Sequence, residues 1–204
     1  MKVLLTGVDG YIGVRMADYL LARGHDVVGL DSGFHRVGWL YNSADRRPSI
    51  LTKDTRDVTE DDLEGFQAVV HLAEVSNDPV GELNPEVTYK INHEGSVRLA
   101  TLAKRAGVQR FIHMSSCSVY GASGDAPSRE GDPTEPLTSY AKCKVLVEEG
   151  VAPLADDDFS PTFMRNATAY GASPRQRFDL VVNDLAASAY LYREIRMASD
   201  GTPW

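Results

Sequence analysis

Cysteine is scarce in this chain. Cys117 and Cys143 are the only two in 204 residues. They lack metal-ligand spacing and cannot build a disulfide framework, so a reduced, cytoplasmic setting with no metal site is the default expectation. Long apolar runs are also missing. None reaches the roughly 18 residues that a membrane span requires. The opening Met1–Thr6 meets a glycine turn too early to be a signal peptide. Basic residues are in deficit, 21 against 29 acidic, giving a net charge of −8 and a pI near 5.1. An acidic surface argues against nucleic acid or an anionic membrane as the main partner, though it leaves room for a local basic pocket. Repeats and low-complexity segments are absent. What remains, 43% hydrophobic and 25% charged residues, is the make-up of one large globular domain, or one domain and part of a second.

The N-terminus carries the first strong pattern. Val3–Thr6 reads as a buried parallel strand. Gly7-Val8-Asp9-Gly10-Tyr11-Ile12-Gly13 follows it directly. A helix is expected from Ile12 to Ala22, with Ile12, Met16, Tyr19 and Leu20 as its apolar stripe and Gly24 as its stop. Val27–Leu30 is the next strand, closed by Asp31. Strand, glycine turn, helix, strand and acid make a dinucleotide-binding unit. Gly7 permits the tight turn, Gly10 lets backbone approach a pyrophosphate, and Gly13 lets the helix lie close to the strand. The helix N-terminus, at Tyr11 and Ile12, faces the negative charge. Asp31 is placed to hold the adenosine ribose and to repel a 2′-phosphate, which favours NAD over NADP. Arg36 softens that preference.

Further along, residues 32–48 read as a long surface connection and Ser49–Thr52 as a short strand. Asp54-Thr55 follows it. Asp54 is a candidate for the adenine amino group, and Asp57 is equally well a turn former. Ala68–Ala73 is a buried strand whose end, Leu72-Ala73, is small enough for a cofactor to lie against it. His71 reads as a satisfied core histidine. Asn84 caps a long helix with Pro85 in its first turn, running to Ala106. Within it, Gly95 signals close backbone packing, with the sheet as the candidate surface. Asn92 is either a cofactor ligand or a solvated polar residue. Val108–His113 is the next strand. Ser116 and Ser118 follow at its carboxyl end, where ligands bind in open α/β sheets, whereas Cys117 reads as buried filler. Residues 122–136 form a loop over the crevice. Phe159–Arg165 is a last strand and Phe178–Ile195 a last helix, and Gly201–Trp204 looks like a connection.

The chemistry-bearing stretch is Thr138-Ser139-Tyr140-Ala141-Lys142-Cys143-Lys144. It opens a helix, with Thr138 or Ser139 as cap. Tyr140 and Lys144, four apart, share one helix face. A phenol of pKa about 10 is a poor base at neutral pH. A fixed ammonium one turn away favours the phenolate and makes the pair a proton-transfer device.

Taken in order, Gly7/Gly10/Gly13, Asp31, Asp54, Ala73, the Ser115-Ser116 to Tyr120-Gly121 segment, Tyr140/Lys144 and Arg165 to Tyr170-Gly171 resemble an extended short-chain dehydrogenase/reductase of the NAD-dependent epimerase/dehydratase family. The resemblance covers nearly the whole chain. It implies a Rossmann-type, doubly wound, mostly parallel α/β sheet over residues 1–166, with 167–204 beginning an incomplete substrate lobe. It implies NAD held by Gly7, Gly10, Tyr11, Ile12, Gly13, Asp31, Asp54, Thr55, Leu72, Ala73, Asn92, Tyr140 and Lys144. Tyr140 would be the acid/base, Lys144 its partner on the nicotinamide ribose, and Ser116 the bridge to the reacting oxygen. Ser116, Ser118, Asn166 and Thr168 would contact a nucleotide-diphosphate sugar. Dehydratases of the family carry an acid pair after the active-site Thr. Cys117 and Ser118 stand there, which favours an epimerase or a reductase. Thr168 replaces the family's Asn three residues after the arginine, leaving the diphosphate contact open. The family pairs through the helices near Pro85 and Tyr140, so a homodimer is expected. A cofactor-binding module without catalysis is the alternative of a different class.

Overall fold

Alternating apolar strands and helical stretches fold into a six-stranded, wholly parallel sheet of order β3-β2-β1-β4-β5-β6. The computed structural model describes residues 1–42, 47–76, 78–122 and 126–197. The strands are β1 (Lys2–Thr6), β2 (Asp26–Asp31), β3 (Ser49–Thr52), β4 (Ala68–His71), β5 (Arg110–His113) and β6 (Ser160–Phe163). The expected Gly201–Trp204 connection and part of the 122–136 loop lie outside the described residues.

Strand residues point alternately to the two faces. Val3 and Leu5 join Val27 and Val70 on the face covered by helix α1 (Tyr11–Ala22). Leu4 joins Val69, Phe111, Leu99 and Val147 on the other face. Helices α4 (Ser96–Arg105) and α5 (Ser139–Val151) cover that second face. The strand order reverses between β1 and β4. A doubly wound sheet opens its ligand crevice beyond the carboxyl ends of the strands at that point. Thr6, Asp31, His71 and His113 all end strands there.

Several expectations need correction. The buried stripe of α1 is Gly13, Val14 and Ala17, while Ile12 and Tyr19 are exposed. Small residues face the sheet because the helix starts in contact with the glycine turn, and Tyr19 instead stacks under Arg23. Cys117 is exposed, since the 3₁₀ turn Cys117–Tyr120 begins with it and carries it off the strand line. Asp78–Leu83 forms an additional short helix, α2. The long helix from Pro85 is three pieces: α3 (Pro85–Thr88), a π-helical segment Tyr89–Gly95, and α4. A π segment inserts one residue per turn and often marks a functional site. Gly95 packs on the Arg56 side chain, not on the sheet. A Cβ there would sit 3.3 Å from Arg56 Cγ. After β6 the chain returns to the glycine turn. Tyr11 Oη donates to Gly171 O at 2.8 Å and Ser173 Oγ to Tyr11 O at 2.8 Å. Helix α6 (Val181–Tyr192) is the last element of the described residues, closed by Arg193 in the left-handed region. Among the described residues, no helix is long and apolar enough to cross a membrane.

Candidate functional site

The glycine turn is shaped by contacts that tolerate no side chain. Gly7 has φ +71°, and a Cβ on it would lie 2.9 Å from Ala73 N. Leu72 and Ala73 are drawn in because their amides both donate to Thr6 Oγ1, at 3.1 and 3.2 Å. A Cβ on Gly10 would meet only Gly7 O, at 3.2 Å, so its outer side is open to a ligand. No side chain caps α1, and helix geometry gives the first-turn amides, including those of Tyr11 and Ile12, no intrahelical acceptor. Uncapped amides, an open Gly10 and a positive helix end fit a dinucleotide pyrophosphate. The Tyr11 hydroxyl is engaged with Gly171 and Asn183, leaving its backbone for a cofactor.

Asp31 is buried and braces the turn. Its two oxygens accept from Asp9 N at 3.1 Å and Gly33 N at 2.8 Å. Arg36 is held by Asp9 (3.0 Å) and Thr52 Oγ1 (3.2 Å). Asp54 caps the 3₁₀ turn Thr55–Asp57 and pairs with Arg56, whose guanidinium keeps the Asp54 carboxyl below its usual range. Thr55 is buried beneath it.

Asn92 lies inside the π segment, fully buried. Its amide clamps both backbone groups of Val75, each at 2.8 Å. It is neither solvated nor free to reach away. It fixes the loop after Ala73 through the backbone.

The Tyr140 helix is set by three other elements. Thr138 is its cap, accepting from Ala141 N at 3.1 Å. Glu82 of α2 accepts from Ser139 N at 2.6 Å, placing a carboxylate at the positive end of α5. Lys144 is buried and donates to Met114 O and Glu74. Its Nζ lies 5.2 Å from the Tyr140 ring centroid. Met114 directly precedes Ser115-Ser116, so Lys144 ties the Tyr140 helix to the end of β5. Ser116 Oγ accepts from Ser118 N and bonds Ser118 Oγ at 2.8 Å. Ser116 also bridges in parallel to Asn166, which brings these two predicted substrate residues together. Thr168 is exposed two residues on.

The sequence reading passed over Glu74, His113 and Glu82. An acid immediately after an apolar strand was the available signal for Glu74. His71 is the satisfied core residue expected. Asn92 O accepts from Ser96 Oγ (2.6 Å), which fixes that hydroxyl as acceptor for His71 Nε2 (2.8 Å). Thr6 Oγ1 then donates to His71 Nδ1 (2.7 Å). Both nitrogens are used, and burial followed by the Lys144 charge lowers the His71 pKa to about 3. Ligand atoms of His71, Glu74 and His113 lie within 4.8 Å of one another. Hydrogen bonds commit His71 and the Lys144 ammonium sits on Glu74, so of these three residues His113 alone keeps nitrogens without a hydrogen bond. One ligand does not make a metal site.

Burial likewise holds His113 well below the ordinary histidine range. A histidine refused its proton in the fold but protonated when unfolded costs stability below the unfolded value of about 6.5. The fold should therefore weaken as pH falls from about 6.5, by on the order of 1 kcal/mol per unit for each histidine. Glu74, pushed up by burial, works in the opposite sense but is outnumbered. Thermal melting between pH 6.5 and 4.5 checks this. A constant Tm over that range would contradict neutral buried histidines.

Comparison with known proteins gives the family. The sequence profile described as "NAD dependent epimerase/dehydratase family" matches residues 3–204. The UDP-glucose 4-epimerase of Mycolicibacterium smegmatis is 36% identical over 156 residues, covering 72% of this chain and 49% of that protein. The chain thus spans about half the length of the curated relatives it matches. Among solved structures, an NAD-dependent NDP-hexosamine 5,6-dehydratase, TunA, superposes with a TM-score of 0.86 at 29% identity, covering 98% of this chain and 65% of that one. MoeE5, solved with UDP-glucose and NAD, gives a TM-score of 0.79 at 28% identity over 99% of this chain and 65% of its own. A match over nearly the whole chain shows the family: the chain belongs to the NAD-dependent epimerase/dehydratase family, whose cofactor is NAD.

Proposed function

We propose that this chain carries the cofactor half and the acid/base residues of a nucleotide-sugar epimerase. The observation behind the reading is Lys144, buried between the Tyr140 ring and the Met114 carbonyl that leads to Ser116. It links the Tyr140 helix to the segment that carries Ser116, which supports giving all three residues a part in one reaction. Tyr140, as phenolate, takes the proton from a sugar hydroxyl and later returns it. The Lys144 ammonium stabilises that phenolate by charge. The Ser116 hydroxyl hydrogen-bonds the oxygen as it becomes a carbonyl. Bound beside these residues, NAD would supply a reversible hydride acceptor for the sugar carbon. Gly7, Gly10 and Gly13 hold the cofactor's phosphates, and Asp31 its ribose. The substrate is a nucleotide-diphosphate sugar contacted by Ser116, Ser118, Asn166 and Thr168. The epimerase choice is supported by the relatives in Mycolicibacterium smegmatis and humans, both UDP-glucose 4-epimerases. It is supported also by Cys117 and Ser118, which offer no acid pair for loss of water.

The test is incubation with NAD and UDP-glucose, read by NMR of the sugar. Appearance of the C4 epimer with no net NADH supports the reading. Net accumulation of NADH would instead mark net oxidation of the sugar, a reductase running in reverse. The close superposition on a 5,6-dehydratase favours a second reading, in which the product is one water lighter. Pairing of two copies through α2, α3 and α5 is part of the same proposal. Exposed Val80, Leu83 and Val87 on α2 and α3 supply an apolar surface. Sedimentation is expected to give a dimer; a monomer at all concentrations would remove this part.

A further inference from the structure

Lys144 is the centre of a buried arrangement that the acid/base pair alone does not explain. Glu74, three residues after β4, is 3% exposed in its side chain and forms an ion pair with Lys144. His113 Nε2 stands 3.7 Å from its other oxygen, and Ser96 Oγ lies 3.5 Å away. Each ionisable neighbour can be assigned. His71 is neutral, with both nitrogens in hydrogen bonds. His113 is buried against β4 and β6 and is also neutral. Cys143, beside Lys144 on α5, is buried, and its thiol is pushed up to about 12, first by desolvation and then by Glu74. Glu148, one turn after Lys144, is paired with Arg165 at 2.6 Å and accepts from Ser115 Oγ. Among the described residues, with Arg165 committed to Glu148, the cluster therefore leaves one cation, Lys144, facing two groups able to be its anion, Glu74 and ionised Tyr140.

We propose that Glu74 is a positioning residue for the acid/base pair, competing with the Tyr140 phenolate for the single Lys144 ammonium and so making Tyr140 a weaker acid than the lysine alone would make it. The geometry has two consequences. Glu74 and Met114 O together hold the ammonium inward, fixing its distance to the ring. The carboxylate also cancels much of the charge that the phenolate would otherwise use, because paired opposite charges in a low-dielectric site act on a third group as a dipole. Removing the Glu74 charge leaves the phenolate as the only counter-ion for a buried ammonium. The proposal rests on Tyr140 being the acid/base residue of the proposed reaction, but it concerns ionisation and can be read without turnover.

The full chain is labelled with tyrosine carrying ¹³C at Cζ and titrated by NMR with NAD present. The Tyr140 signal is identified by its loss in Tyr140→Phe. In Glu74→Gln the Tyr140 midpoint is expected to move to lower pH by about one unit or more. A purely structural Glu74 would leave the midpoint in place, and an unmoved or raised midpoint overturns the proposal. Should Glu74→Gln be too unstable to titrate, Glu74→Asp keeps the charge but withdraws it by one methylene. It is expected to move the midpoint the same way by less, and an unmoved midpoint there overturns the proposal equally. A shifted midpoint in a protein without epimerase turnover would sink the epimerase reading and support this one. An unmoved midpoint in an active enzyme would do the reverse.

Discussion

Replacing Tyr140 with Phe should lower kcat by about 10²–10⁴-fold while leaving NAD affinity close to wild type. The substitution removes one hydroxyl and keeps the ring. The ring is partly buried on α5 and lies near the Lys144 ammonium, so its packing survives. The split between the two readouts is the point of the experiment. A loss of NAD binding as large as the loss of rate would mean that Tyr140 holds the cofactor and does not move the proton. An unchanged kcat would remove Tyr140 from the chemistry altogether. Single-turnover measurement by hydride uptake from the sugar isolates the step at which the phenol acts.

Much of the site was legible because it is written in local signals. The glycine turn needs positive φ and close approach over seven residues, and Asp31 closes the adjoining strand. Tyr140 and Lys144 are neighbours by helix period. Each such feature depends on residues within about one turn or one strand of each other. Features made by distant segments were not legible. Asn92 meets Val75 from within a π segment, and nothing in the residue types announces that insertion. Glu82 caps α5 from a helix 57 residues earlier. Glu74 meets Lys144 across 70 residues, from two separate elements of the sheet and its cover. The α1 stripe was misplaced for a related reason. Hydrophobicity pointed to Ile12 and Tyr19, whereas contact with the turn selects the smallest residues, Gly13 and Ala17. Cys117 was misjudged because a 3₁₀ turn follows Ser116, so the strand's alternation no longer decides which residue faces in.

Gly13→Ala should cost the protein both its cofactor and part of its stability. A Cβ at Gly13 would stand 2.0 Å from Gly7 O, 2.8 Å from Gly7 C and 2.9 Å from Val8 Cα. All three are backbone atoms, so no rotamer change relieves the clash. Either α1 lifts from β1 or the turn opens. Both move the first-turn amides away from the position where they face a pyrophosphate. Overpacking of this kind costs about 3 kcal/mol, which for a chain of this size lowers Tm by about 6–12 °C. Gly24→Ala is the matched control. Gly24 has φ +79° but nothing within 4 Å of an added Cβ, so only backbone strain of about 1 kcal/mol is expected. Calorimetric titration with NAD separates the two variants. Gly24→Ala should bind as the parent does, whereas Gly13→Ala should show no saturable binding. Retained binding in Gly13→Ala would mean that the helix end is not where the cofactor's phosphates sit, and the assignment of Gly7, Gly10 and Gly13 would fall with it.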